Sequence, residues 1–176
     1  MARTTDIDWI AIARRLLIDE GPTALTLERL CAVARRTRGS LYHHYAGLPA
    51  LKAELLSRWA REHTDALIHA TEALGGPGEQ KRRRLDALAL ALDMRTEQAM
   101  RSWAAYDPEV RAVVHDMDQR RIDYLVALEL ECGESSARAR QLALLQYALF
   151  LGYQQLPGNA ERAELNQTAA TLRFDF

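Results

Sequence analysis

TLERLCAVARRTRGSLYHH, residues 26–44, contains two helix starts within one short stretch. Thr26 is a good N-cap, and after it Leu27, Leu30, Cys31 and Ala34 recur at helical spacing. That pattern predicts a short helix over 27–34. Arg35-Arg36 follow, and Thr37 offers a second cap for a helix over 38–44, which Ala46-Gly47 end. Two helices of about two turns each, joined by a tight turn, describe a helix-turn-helix. A left-handed backbone is expected at Arg35, just after the first of them.

Outward from this stretch the whole chain reads as helix. Ala, Leu, Arg and Glu dominate its 176 residues, hydrophobic residues make up 48%, and no segment alternates long enough to suggest a sheet. Upstream, a helix is expected from about Asp6 to Glu20, capped by Asp6 or Thr5, with Ile10, Ala13, Leu16 and Leu17 inward and Gly21-Pro22 as its stop. Downstream, a long helix is expected over 49–73, with Leu51, Leu55, Trp59 and Leu67 inward. Gly75-Gly76-Pro77-Gly78 breaks it. Five helices follow, over about 81–94, 97–105, 108–131, 136–156 and 159–173. Asp107-Pro108 marks the third of these starts, because Asp caps and Pro suits a first helical position. The fold class is therefore all-α: a three-helix head over residues 1–48 carrying the helix-turn-helix, and a helical body over 49–176.

Charge is unevenly placed. The net charge is -1, yet residues 1–60 carry nine Lys/Arg against six Asp/Glu, and the remainder carries fourteen against eighteen. No acidic residue lies between Glu28 and Glu54, a window holding Arg29, Arg35, Arg36, Arg38 and Lys52 with His43 and His44. A local basic patch on a near-neutral protein is the footprint of a site-specific DNA binder, and the bland alternative is a solvated basic face.

The segment Ile10–Leu56 resembles the TetR family of transcriptional regulators. The resemblance rests on Ala11–Gly21 (AIARRLLIDEG), on Leu25-Thr26-Leu27, and above all on Thr37–Leu51 (TRGSLYHHYAGLPAL), and it covers roughly a third of the chain. It implies a DNA-binding head, a body that takes a small-molecule effector, and a repressor acting as a homodimer on a palindromic operator. In those roles Thr26 and Thr37 cap helices and reach phosphates, and Gly39 lets the recognition helix approach the groove. Tyr42 and His44 match the family's phosphate contacts. Arg36, Arg38, Ser40 and His43 are candidates for base or groove contacts. Two departures stand out: Arg35-Arg36 replace the family's Gly-Val in the turn, and Leu48 replaces its Lys at the start of the fourth helix, with Lys52 one turn on as the substitute.

In the body, Met94, Met100, Trp103, Tyr106 and Met117 are candidates to line an effector pocket, with ordinary core filling as the alternative. From Leu142 to Tyr153 the only polar residue is Gln146, so that helix must be covered all round. Leu142, Leu145, Leu149 and Gly152 form a stripe expected to meet a partner subunit, unless the helix is simply the core of a monomer. Cys31 and Cys132 are expected to be small buried residues of a reduced cytoplasmic protein, and His63, His69 and His115 scattered surface histidines.

No paired metal ligands, phosphate loop or nucleophile motif points to an enzyme or a cofactor. No apolar run approaches the roughly 20 residues of a membrane span, and the charged start does not read as a signal peptide. The competing function is a helical protein-interaction module that has lost specific DNA binding.

Overall fold

The structure is a computed structural model, describing residues 7–156 and, beyond them, residues 160, 161, 164 and 168. Among these residues there is helix and no strand, so the all-α class holds. The expected caps at Thr5 and Asp6, and most of the last expected helix over 159–173, lie outside the described residues.

The helices are α1 (Trp9–Glu20), α2 (Leu27–Ala34), α3 (Arg38–His44), α4 (Leu48–Ala60), α5 (Ala66–Ala73), α6 (Gly78–Leu90), α7 (Met94–Ala104), α8 (Pro108–Glu131) and α9 (Ser136–Gln155). A 3-10 turn, Pro22–Ala24, follows α1. A five-residue π turn, Arg61–Asp65, joins α4 to α5. The chain forms two compact units, one of residues 7–66 with 93–116, the other of 67–92 with the described residues from 117 onward.

In the first unit α1 lies against α2, α4 and α7. It buries Trp9, Ile10, Ala13, Leu16 and Leu17, the face expected from their spacing with Trp9 added. Leu30 and Cys31 of α2, Leu41 of α3 and Leu51, Leu55, Leu56 and Trp59 of α4 are also buried. Each fully buried Leu side chain contributes about 1.5–3 kcal/mol by leaving water, and this apolar set fixes how α1 to α4 pack in the first unit. In the second unit Leu125, Ala143 and Tyr147 form a small core, with Leu85, Ile122, Val126, Phe150 and Leu151 packed against it.

Four local expectations change. The 49–73 helix is interrupted by the π turn, which inserts one extra residue into the ladder without Gly or Pro to mark it. His63, in that turn, is buried beside Trp59 at 6.3 Å between ring centroids, not on the surface. Helices α6 and α7 each begin about three residues earlier than expected: Gly78 serves as a first helical position, and Asp93 caps α7 by accepting a hydrogen bond from the Arg95 N–H. Cys132 is exposed, because it sits in the turn after α8 has ended.

Candidate nucleic-acid interface

Both threonine caps form. Thr26 Oγ1 accepts from the Arg29 N–H at 3.1 Å, and Thr37 Oγ1 accepts from the Ser40 N–H at 3.4 Å. Each satisfies a backbone donor that the first helical turn leaves open. Between the helices, Arg35 takes φ +51°, ψ +49°, the one positive φ outside glycine among the described residues. The Arg36 N–H then reaches back to the Cys31 carbonyl at 3.0 Å, which closes α2 in the usual left-handed way. A residue with a β-carbon costs roughly 1–2 kcal/mol in this conformation.

Leu41 is wholly buried and pins α3 to the head. The rest of α3 faces outward. Arg38, Gly39, Tyr42, His43 and His44 are exposed and Ser40 is half-buried. Tyr42 is 52% exposed although its ring lies over buried Gly47, where an added β-carbon would sit 3.9 Å from the ring edge. Among the described residues, a β-carbon at Gly39 would meet only Thr37 Oγ1, at an ordinary 3.7 Å, so none of them requires glycine there.

Several cations of the acid-free window are already paired. Arg29 forms a two-pronged bridge to Glu20, at 2.9 and 2.5 Å. Arg38 pairs with Glu28 in the first turn of α2. Lys52 Nζ sits 2.7 Å from Asp107 and 2.6 Å from Glu109, with the Trp103 ring centroid 5.5 Å away. Burial would lower its pKa, but the two carboxylates outweigh that and raise it. The ammonium of Lys52, the substitute that the resemblance offers for a phosphate contact, is held by the start of α8. Leu48 is half-buried at the first position of α4.

Met100 and Trp103 are buried in the first unit and Met94 is half-buried. Tyr106 is 83% exposed, in the turn between α7 and α8, and so does not line an enclosed pocket. Met117 is buried in the second unit. A groove of about 310 Å³ in the first unit has other walls, among them Leu17, Pro22, Arg95 and Ser102.

On α9 the buried side consists of Ala139, Ala143, Tyr147 and Gln154. Leu142, Leu145 and Leu149 are half-buried and Gly152 is exposed, as is Leu144 at 44%. Polar groups also enter the second unit: Gln146 donates to Asp86 at 2.8 Å, and Arg82 lies 3.8 Å from buried Glu129. Burial pushes both carboxyls above the usual range. Among the described residues no group of three or more His, Cys, Asp or Glu is placed to hold a metal ion, and no helix is long and apolar enough to cross a membrane.

No protein-family model matches the chain, and no curated protein matches its sequence. Solved structures do match. The reduced form of NemR from E. coli superposes with a TM-score of 0.72 at 17% identity, over 94% of each chain. SCO7518 from Streptomyces coelicolor A3(2), described as a transcriptional regulator, gives 0.66 at 22% identity, over 94% of this chain and 96% of that one. At these identities the likeness shows a shared all-helical fold over nearly the full length.

Proposed function

We propose that this chain is a cytoplasmic, DNA-binding transcriptional regulator of the TetR family, a repressor that binds a palindromic operator as a homodimer and answers to a small-molecule effector. The observation that carries it is the α2–turn–α3 unit. Its two helices are capped by Thr26 and Thr37, one residue pins α3 inside, and Arg38, Gly39, Tyr42, His43 and His44 are turned to solvent. Gly39 fits the reading, since its lack of a side chain serves none of the described residues and suits close approach to a groove. Tyr42 and His44, with the capped helix starts, are the phosphate contacts, and Arg36, Arg38, Ser40 and His43 read bases or the groove.

The functional division is a DNA-binding head over 1–48 and a body over 49–176 for dimerisation and effector binding. Two copies of α9 meet along Leu142, Leu145, Leu149 and Gly152, supported by the incomplete burial of that apolar stripe in a single chain. For the effector, Met94, Met100, Trp103 and Met117 are the pocket candidates that lie at least partly inside. The test is a gel shift with the DNA upstream of the protein's own gene against a scrambled duplex. Retardation of the upstream fragment alone at moderate salt is expected. Equal failure with both would leave the chain a helical interaction module.

A further inference from the structure

We propose that Arg35 is a DNA-backbone contact, an exposed guanidinium at the turn that takes over the role left empty by Leu48 and by the sequestered Lys52. The inference rests on the reading of the head as a DNA binder and adds a residue that the resemblance does not supply. Three cations of the acid-free window are already neutralised within the protein: Arg29 by Glu20, Arg38 by Glu28, and Lys52 by Asp107 and Glu109. Arg35 and Arg36 are exposed and have no carboxylate partner among the described residues. The Arg36 guanidinium folds back to donate to the Arg35 carbonyl at 3.3 Å. Among the described residues, the Arg35 side chain is therefore the cation of this acid-free window left without a protein acceptor.

Its backbone sharpens the point. Arg35 occupies the left-handed region at φ +51°, where glycine carries no steric penalty and any side chain does. The closure of α2 uses only main-chain groups, the N–H of Arg35 to the Ala32 carbonyl and that of Arg36 to the Cys31 carbonyl. Among the described residues the side chain thus finds no hydrogen bond or ion pair to offset that strain. A compensating interaction lies outside the protein, and its chemistry is that of a polyanion: a guanidinium fork offers paired donors matched to phosphate oxygens. Standing at the turn ahead of the recognition helix, it meets the backbone, so it adds affinity on every sequence.

The test measures binding of the full-length protein to a mixed-sequence duplex by fluorescence anisotropy across a salt series, beside thermal stability. Arg35→Gly is expected to be as stable as the wild type or more so, to bind several-fold more weakly at low salt, and to show a shallower dependence of log affinity on log salt. The slope should fall by about 0.9 per lost contact, so by roughly twice that for a dimer. Arg35→Lys keeps a charge and should keep the wild-type slope; Arg35→Asn, which tolerates the left-handed backbone, should behave as the glycine variant does. An unchanged slope in Arg35→Gly and Arg35→Asn overturns the proposal while leaving DNA binding intact. Loss of stability in both variants also overturns it, by showing an internal role. A wild-type protein that binds no duplex at low salt removes the DNA-binding reading itself.

Discussion

Lys52 Nζ lies 2.7 Å from Asp107 Oδ2, and the other oxygen of the same carboxylate caps α8 by accepting from the Glu109 and Val110 N–H groups at 3.0 and 3.2 Å. One aspartate therefore joins α4, which follows α3, to the start of α8. Both side chains are mostly buried, at 19% and 24% exposure, so the pair is shielded more than a surface bridge would be.

Breaking that pair should show in stability and in its pH dependence. The hydrogen bond from Lys52 is the main cause holding the Asp107 carboxyl below its usual range, with the cap bonds adding to it. A depressed folded-state pKa stabilises the protein above the unfolded aspartate value, and the stability is lost as pH falls through the folded value. Lys52→Met should destabilise the fold by about 1–2 kcal/mol near neutral pH and flatten the loss of stability between the unfolded and folded aspartate pKa values. Thermal denaturation across an acid series checks both parts; a steeper acid limb in the variant would contradict the assignment.

Arg38 and Tyr42 should fail differently. Tyr42→Ala should weaken binding on all duplexes, since a backbone contact carries no sequence information. Arg38→Ala should change the preferred base at one operator position, at a cost of about 1–3 kcal/mol there. Because Glu28 pairs with Arg38 in the free protein, Glu28→Gln should raise non-specific affinity by releasing that cation. Competition with single-base operator variants separates the cases, and equal losses for both alanine variants on every duplex would end the base-reading role of Arg38.

A half-buried carboxylate in the second unit makes an opposite pH prediction. Burial pushes the Asp86 carboxyl up, against the Gln146 hydrogen bond and Arg82. A raised acid pKa means that stability declines as pH rises from the unfolded aspartate value through the folded one. Asp86→Asn keeps an acceptor for Gln146 and should raise the melting temperature at neutral pH. A lower melting temperature at neutral pH would mean that the Arg82 attraction outweighs burial.

Gly152 tests the dimer. A β-carbon there meets nothing within 4 Å among the described residues, so a large side chain should leave the protomer folded. Gly152→Arg should place two like charges at the contact between α9 and its symmetry mate and shift the protein to monomer. Sedimentation and circular dichroism together decide it: a variant that stays dimeric moves the interface off this stripe.

Much of this was legible in local sequence and some was not, for physical reasons. Thr26, Thr37 and Asp107 act on backbone groups within three residues of themselves, so their caps could be read directly. The left-handed turn at Arg35 follows from two helices set so close together. The π turn at 61–65 carries no Gly or Pro, and its effect on His63 depends on packing against Trp59. The α7 start lies earlier than the spacing suggests because Asp93 accepts from the Arg95 N–H and caps it. The capture of Lys52 joins residues 55 and 57 positions apart, a separation at which spacing says nothing. Tyr106 follows α7 in a turn, where helical spacing no longer says which side chains face solvent.

Hydroxyl-radical footprinting of the DNA upstream of the gene tests the central claim most directly. Two protected half-sites, one helical turn or slightly more apart, on a roughly palindromic sequence are expected, and the protection should disappear in Tyr42→Ala. Uniform cleavage across the fragment, at protein concentrations and salt where the wild type remains folded, would contradict the claim that α2 and α3 form a sequence-reading head.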